Sequence, residues 1–371
     1  MNQDIIYKVV SALKEKKLDA FVIASPENFA YLAGFVVPSH HVLRWRHSML
    51  ILTSDARIFA FTVDMEESTV RRNLPDISLR RWREFADDPM EILSDYLLEI
   101  GLKTARLGIE LDYLPARDLK SLENYLPNAS FTCSSESFNE MRRLKTPSEI
   151  SLLRQLSRIA DKSIYDAYQS VGIGSTEMDI AGTLTRKIYE QGAQDFKFMI
   201  VATGERSQLP NVGPSLRKLK NGDICRVEIF PIINGYHAGV CRTASVGEPT
   251  SNASEIWSVL SSATKQLLEL IKPGVAVSEI YYAYLRMVEP LGMPPIDFAG
   301  HGIGLHLHED PYLAKDDNTL IEEGMVFGIE PLIYNTGHGF GMQNKDMILV
   351  TDKGSELLSD HTDTTNLIQI S

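Results

Sequence analysis

Nine residues, "RRLKTPSEI" from Arg142 to Ile150, constrain the chain more than any other stretch, because they divide it in two. Thr146 reads as a helix N-cap and Pro147 as the first helical residue. Glu149 follows the cap by three positions, the spacing of a capping box. Behind it, apolar residues at 150, 153, 156, 160, 164, 167 and 171 hold the period of one helical face. A chain of 371 residues can carry two domains. The boundaries predicted are a first domain over 1–140 and a second over 146–371.

Ahead of the divide, helical and strand patterns alternate. Residues 3–17 form an amphipathic helix, "DAFVIAS" at 19–25 a buried strand, and Ser25-Pro26-Glu27 a new turn. "SMLILTSDARIFAFTVD" reads as strand, turn and strand. A helix near 88–101, a strand at "RLGIE" and a helix over 115–125 complete a small α/β domain.

Composition limits the partners. A net charge of −12 argues against nucleic acid or an anionic membrane, which both call for basic surface. No window is apolar over the roughly 18 residues that a bilayer span needs. The N-terminus shows no apolar run behind a basic segment, so no signal peptide is expected. Cys133, Cys225 and Cys241 are odd in number and widely spaced, unlike a disulfide framework or a zinc knuckle. The expectation is a cytoplasmic protein.

The second domain carries the chemistry. "DICRVEIFPIING" and "GMVFGIEPLIYN" are apolar, strand-like runs with one glutamate each, Glu228 and Glu330. An unpaired buried carboxylate is costly, so each acid needs a cation or a function. "HGIGLHLHEDP", His301 to Pro311, adds three histidines and an acid pair. In an extended segment His306 and His308 share a face. A lone histidine is most often a hydrogen-bonded core or surface residue; three beside two buried acids suggest a site.

These residues resemble the pita-bread-fold family, which includes methionine aminopeptidase, aminopeptidase P, prolidase and creatinase. The likeness runs the length of the chain. "LDAFVIASPENFAYLAGF" is similar to the opening of the creatinase/prolidase N-terminal domain, and "RRLKTPSEISLLRQLSRIAD" to the interdomain helix. "LPNVGPSLRKLKNGD", "NGYHAGVCRT", "IKPG", "GHGIGLHLHEDP" and "GMVFGIEPLIY" follow the catalytic-domain motifs in order. The resemblance implies an α/β (α+β) chain: a creatinase/prolidase-type α/β domain followed by a pita-bread domain.

The family's metallopeptidases hold two metal ions with two Asp, one His and two Glu. Carried over position by position, the resemblance puts Glu228 at the first Asp and Gly239 at the second. His301 and Glu330 are retained, and Lys345 stands at the last Glu. Glycine offers no ligand, and an ammonium repels a divalent ion. No metal or other cofactor is therefore expected, and Lys345 is expected to neutralise Glu228 and Glu330. The family's substrate-handling histidine is replaced by Asn211, which can orient a carbonyl but cannot shuttle a proton at neutral pH.

The catalytic candidates are thus His301, His308, Glu330 and Glu228, and the substrate-binding ones Arg46, Arg44, Asn211, Tyr236, Lys345 and Cys241. Cys241 could be a nucleophile beside a histidine or a small core residue. Arg46 and Arg44 lie in the basic-aromatic stretch "HHVLRWRHSM". In creatinase, an arginine from this region reaches across a dimer to a substrate carboxylate, which implies a homodimer acting on a small molecule. The expectation is a metal-independent hydrolase of a C–N bond in a small carboxylate-bearing or zwitterionic compound. Two alternatives stand beside it: a non-catalytic binding protein of the same fold, and an Xaa-Pro aminopeptidase or dipeptidase that uses metal. Exchanging Lys345→Glu together with Gly239→Asp is expected to rebuild part of a metal site.

Overall fold

Ser25, read from the sequence as opening a turn, instead caps a helix, and Thr146 caps one as its sequence predicts. Ser25 Oγ accepts from the Asn28 amide; Thr146 accepts from the Glu149 amide, and the Glu149 carboxylate accepts from the Thr146 amide in return. In the computed structural model, which describes residues 1–293 and 296–371, the chain divides into two units, Met1–Arg142 and Arg143–Ser371.

The first unit runs α1 (Gln3–Glu15), β1 (Ala20–Ile23), α2 (Pro26–Ala33), β2 (Met49–Thr53), β3 (Ile58–Val63), α3 (Glu67–Asn73) and β4 (Ser78–Trp82). It continues through α4 (Pro89–Glu99), β5 (Arg106–Ile109), α5 (Ala116–Tyr125), β6 (Ser130–Cys133) and α6 (Ser135–Arg143). Its sheet has the order β4-β3-β2-β1-β5-β6. β1 is central, parallel to β5 and antiparallel to β2. All four of its residues are buried, which is why "AFVI" shows no polar alternation.

The second unit begins with α7 (Pro147–Gln169), α8 (Glu177–Glu190), β7 (Asp195–Thr203), β8 (Ile224–Ile233), β9 (Tyr236–His237), β10 (Val240–Val246), α9 (Ser251–Leu270) and α10 (Val277–Val288). Short strands follow: β11 (Phe298–Gly302), β12 (Glu309–Ala314), β13 (Val326–Ile329), β14 (Leu332–Ile333), β15 (Met342–Gln343), β16 (Asp346–Thr351), β17 (Gly354–Leu357) and β18 (Ile368–Ile370). One sheet has the order β18-β10-β8-β7, with β9 on β8; the other has the order β12-β11-β13-β16-β17. α7 buries Leu153, Leu156, Ala160, Ile164 and Ala167, the stripe read from the sequence. Trp257, Leu260, Ile280 and Tyr284 from α9 and α10 pack with Phe327, Ile329 and Ile348.

The two sheets join through a backbone bridge between Cys241 and Lys345, with amide-to-carbonyl distances of 3.1 and 3.2 Å. The side chain beside this bridge is Arg242, fully buried. Its guanidinium donates to Asp161 on α7 at 2.9 Å and to Asp346 on β16 at 2.8 Å. It also donates to the carbonyls of Cys241 (3.0 Å), Lys345 (2.9 Å) and Ser359 (3.2 Å). One side chain thus ties a helix, both sheets and the C-terminal segment together. Arg242→Met strands two buried carboxylates, and urea unfolding should show a loss of about 3–5 kcal/mol. A loss below about 1 kcal/mol, the range of a surface pair, would contradict this role.

Candidate functional site

Strand alternation builds the floor of the site. Arg226, Glu228 and Phe230 recur every second residue along β8 and so share one of its faces. β8 lies between β7 and β10, with Glu228 opposite Ile200 and Cys241. His301 comes from β11, paired with Gly328 on one side and Tyr312 on the other. Glu330 stands one residue beyond β13 rather than inside a strand, and Lys345 one residue before β16.

These elements aim four groups at one point. The Lys345 ammonium lies 2.8 Å from Glu330 Oε2, 3.2 Å from Glu228 Oε1 and 3.0 Å from His301 Nε2. Its three N–H bonds therefore have three acceptors. The Phe230 ring covers the remaining side, with its centroid 4.8 Å from Nζ. Glu228, Glu330, His301 and Lys345 are all buried. Burial disfavours the charged ammonium, but Glu330 and Glu228 outweigh it and hold the Lys345 pKa above its usual range. Burial pushes the Glu330 carboxyl up, opposed by the same ammonium.

His301 Nδ1 faces the Gly302 carbonyl at 2.8 Å, which assigns the proton to Nδ1 and leaves the Nε2 lone pair for Lys345. Burial first, and the Lys345 charge second, push the His301 pKa well below normal. His301 is thus a neutral acceptor already in use.

The segment between β11 and β12 bends instead of running extended, so the shared face expected for His306 and His308 does not form. Glu309 causes the bend: Oε1 accepts from the amides of Leu305 and His306 at 3.2 Å each, while Oε2 pairs with Lys145 at 3.0 Å. The bend stacks His308 on His301, with centroids 3.7 Å apart. Burial lowers the His308 pKa to about 4, with Lys345 contributing. Phe298 and Tyr312 stand around the stacked pair at 5.9–6.3 Å. Phe298, His308 and Tyr312 are at least partly exposed and form a rim over the buried cluster.

Cys241 borders the cluster, opposite Glu228, and the other remaining candidates fall elsewhere. Cys241 is buried, and burial with the Glu228 charge raises its thiol pKa well above normal, so it is no ready nucleophile. Tyr236 donates its hydroxyl to Glu149 at 2.9 Å. Asn211 is exposed, on a loop whose Pro210 carbonyl accepts from Arg226 at 3.1 Å. Arg46 pairs with Glu84 at 2.8 Å, and Arg44 lies over the Tyr113 ring, both within the first unit. Sequence reasoning missed Phe230, Arg226, Gln343, Phe298 and Tyr312. The two-residue spacing from Glu228 would have found Arg226 and Phe230, and the same spacing from Lys345 would have found Gln343.

The profile of metallopeptidase family M24 matches residues 151–352, and that of the creatinase/prolidase N-terminal domain matches residues 6–144. The chain belongs to metallopeptidase family M24, with a creatinase/prolidase N-terminal domain ahead of a pita-bread domain. The Xaa-Pro dipeptidase of Pyrococcus furiosus is 27% identical over 357 residues, covering 95% of this chain and 96% of that one. The probable dipeptidase PepE of Mycobacterium bovis is 31% identical over 272 residues, 72% of this chain and 71% of that one. In structure, the recombinant prolidase of Thermococcus sibiricus is similar at a TM-score of 0.88 and 25% identity, covering 100% of this chain and 99% of that one.

These relatives correct the expected activity. The full-length likeness is to proteins named Xaa-Pro dipeptidase and prolidase, which overturns the creatinase-like reading of a metal-independent hydrolase acting on a C–N bond of a small carboxylate-bearing compound. The peptidase alternative is the better supported.

The metal that this family implies does not fit the side chains present. Lys345 occupies the space between the carboxylates and takes the His301 lone pair. Among the described residues, no group of three or more His, Cys, Asp or Glu side chains could hold an ion. Lys345→Met removes the ammonium that both acids share, and should cost about 3–5 kcal/mol at pH 8. The loss should shrink at pH 5. With Glu330 pushed up, the folded variant takes up a proton that the unfolded chain does not yet bind, so its stability rises as pH falls through that window. Urea unfolding at both pH values checks this; an equal loss at each would show that the acids are not what Lys345 neutralises.

Proposed function

We propose that this chain takes Xaa-Pro-type dipeptides as ligands, at the rim of Phe298, His308 and Tyr312 above the buried cluster. The observation that carries the reading is the likeness to an Xaa-Pro dipeptidase across 95% of this chain and 96% of that one. The rim supports it chemically, because a prolyl ring is a compact apolar group that packs well against aromatic faces. His308, held neutral at pH 7 by its lowered pKa, can accept a hydrogen bond from a peptide N–H.

Hydrolysis of the same peptides is the second reading, favoured by the names of the relatives. It calls for a metal ion between Glu228 and Glu330, and therefore for Lys345 to leave both carboxylates. Lys345 between the two carboxylates supports the binding reading, and the names of the relatives support the hydrolytic one.

The proposal extends to a cytoplasmic homodimer with a small-molecule ligand and no nucleic-acid or membrane partner. The charge of −12 supports the exclusion of nucleic acid. No helix among the described residues is long and apolar enough to cross a membrane. The dimer rests on the family resemblance.

Titration calorimetry with Gly-Pro, Ala-Pro and Leu-Pro should show saturable binding, with Gly-Gly as the control. Tyr312→Ala should weaken it by about tenfold, near 1.4 kcal/mol, as the loss of one aromatic wall predicts. Proline release, assayed in parallel with and without Mn²⁺, tests the second reading. No preference for the prolyl peptides would sink the assignment of the ligand class.

A further inference from the structure

The Lys345 side chain does not stand alone in place of a ligand; three other residues are shaped around it. A Cβ built on Gly239 would lie 2.3 and 2.8 Å from two carbons of the Phe230 ring, closer than real Cβ atoms approach. Phe230 therefore fills the volume that a side chain at 239 would need. The same ring offers its face to the Lys345 ammonium and leans on Phe198, with centroids 6.4 Å apart. A Cβ on Gly328 would lie 3.0 Å from Lys345 Cε, so the lysine stem runs against a residue with no side chain. Gly239 and Gly328 have no positive φ, so space rather than backbone conformation accounts for them.

Charge closes the same way. The carboxylates of Glu228 and Glu330 face Lys345 directly, and Arg226 joins them through Gln343: Nη1 donates to Gln343 Oε1 at 2.9 Å, and Gln343 Nε2 donates to Glu330 at 3.3 Å. Two buried anions and two buried cations leave nothing for a divalent ion to neutralise. An added ion would sit against an ammonium in a medium that screens poorly.

We infer that Lys345, Phe230, Gly239 and Gly328 form a resident cation seat, in which the lysine ammonium permanently occupies the metal position and divalent ions are excluded. This inference stands apart from the ligand class proposed above: peptide binding can hold or fail whichever cation lies between the acids. It also adds Phe230 to the change expected to rebuild part of a metal site, Lys345→Glu with Gly239→Asp, since an aspartate at 239 meets the Phe230 ring.

The test is metal binding by the full chain, stripped with chelator and dialysed against Mn²⁺, Co²⁺ or Zn²⁺, with bound ions counted by mass spectrometry. The parent chain should hold far less than one ion per chain, and its thermal midpoint should not move with added metal. One or two ions per parent chain would overturn the inference, whatever the variants do. The triple variant Lys345→Glu, Gly239→Asp, Phe230→Ala, confirmed as folded by circular dichroism, should bind Mn²⁺ or Co²⁺ at least about tenfold tighter than the Lys345→Glu, Gly239→Asp pair. Equal binding by pair and triple would remove Phe230 from the seat.

Discussion

The buried guanidinium of Arg242 is the constraint on which the second unit depends. A planar fork with five donors can serve several acceptors at once without deprotonating, which an ammonium cannot match in reach or geometry. Here the acceptors belong to α7, β10, β16 and the segment after β17. Its bond to the Lys345 carbonyl fixes the backbone from which the Lys345 side chain enters the cluster. The Asp161 carboxylate accepts from the amides of His361 and Thr362 as well, so the same network pins the chain beyond the second sheet. The position of one buried cation, Lys345, is therefore set by another that takes no part in the cluster.

Much of this was legible in the sequence, for local reasons. The capping box at Thr146 is a rule about four consecutive residues, and it needs no tertiary information. Glu228 and Glu330 stood out because charge inside an apolar run demands a partner, His301 because it opens a stretch with three histidines, and Lys345 meets all three at 2.8–3.2 Å. What stayed hidden depends on contacts between distant segments. Phe230 reads as an ordinary apolar strand residue until the fold places its ring over Lys345 and beside Gly239. Glu309 reads as part of a ligand-rich motif, yet it closes a bend through two amides and Lys145. α3, β4 and α6 are short pieces of the first unit whose patterns are too brief to separate from loops. Activity is legible in neither place alone: the side chains of the cluster point away from a metal while the likeness of the whole chain points to peptidases, because fold and reaction are set by different parts of a sequence.

Trading an ion for a side chain poses a volume problem as well as a charge problem. A divalent ion is a compact point charge bound from several sides, whereas a lysine brings its charge on a four-carbon stem that needs its own channel. Gly328 provides room along that stem, and the bridge to Cys241 fixes the direction from which it enters. A lysine also delivers one positive charge where a metal delivers two, so two buried carboxylates remain under-neutralised unless a further cation joins. Arg226, linked through Gln343, supplies it. The Phe230 ring then covers the side of the ammonium that has no oxygen or nitrogen partner and excludes water from it. Charge balance and close packing thus require the same set of residues. Reversing only the charged position leaves the aromatic ring and the second cation in place, and both oppose the return of an ion.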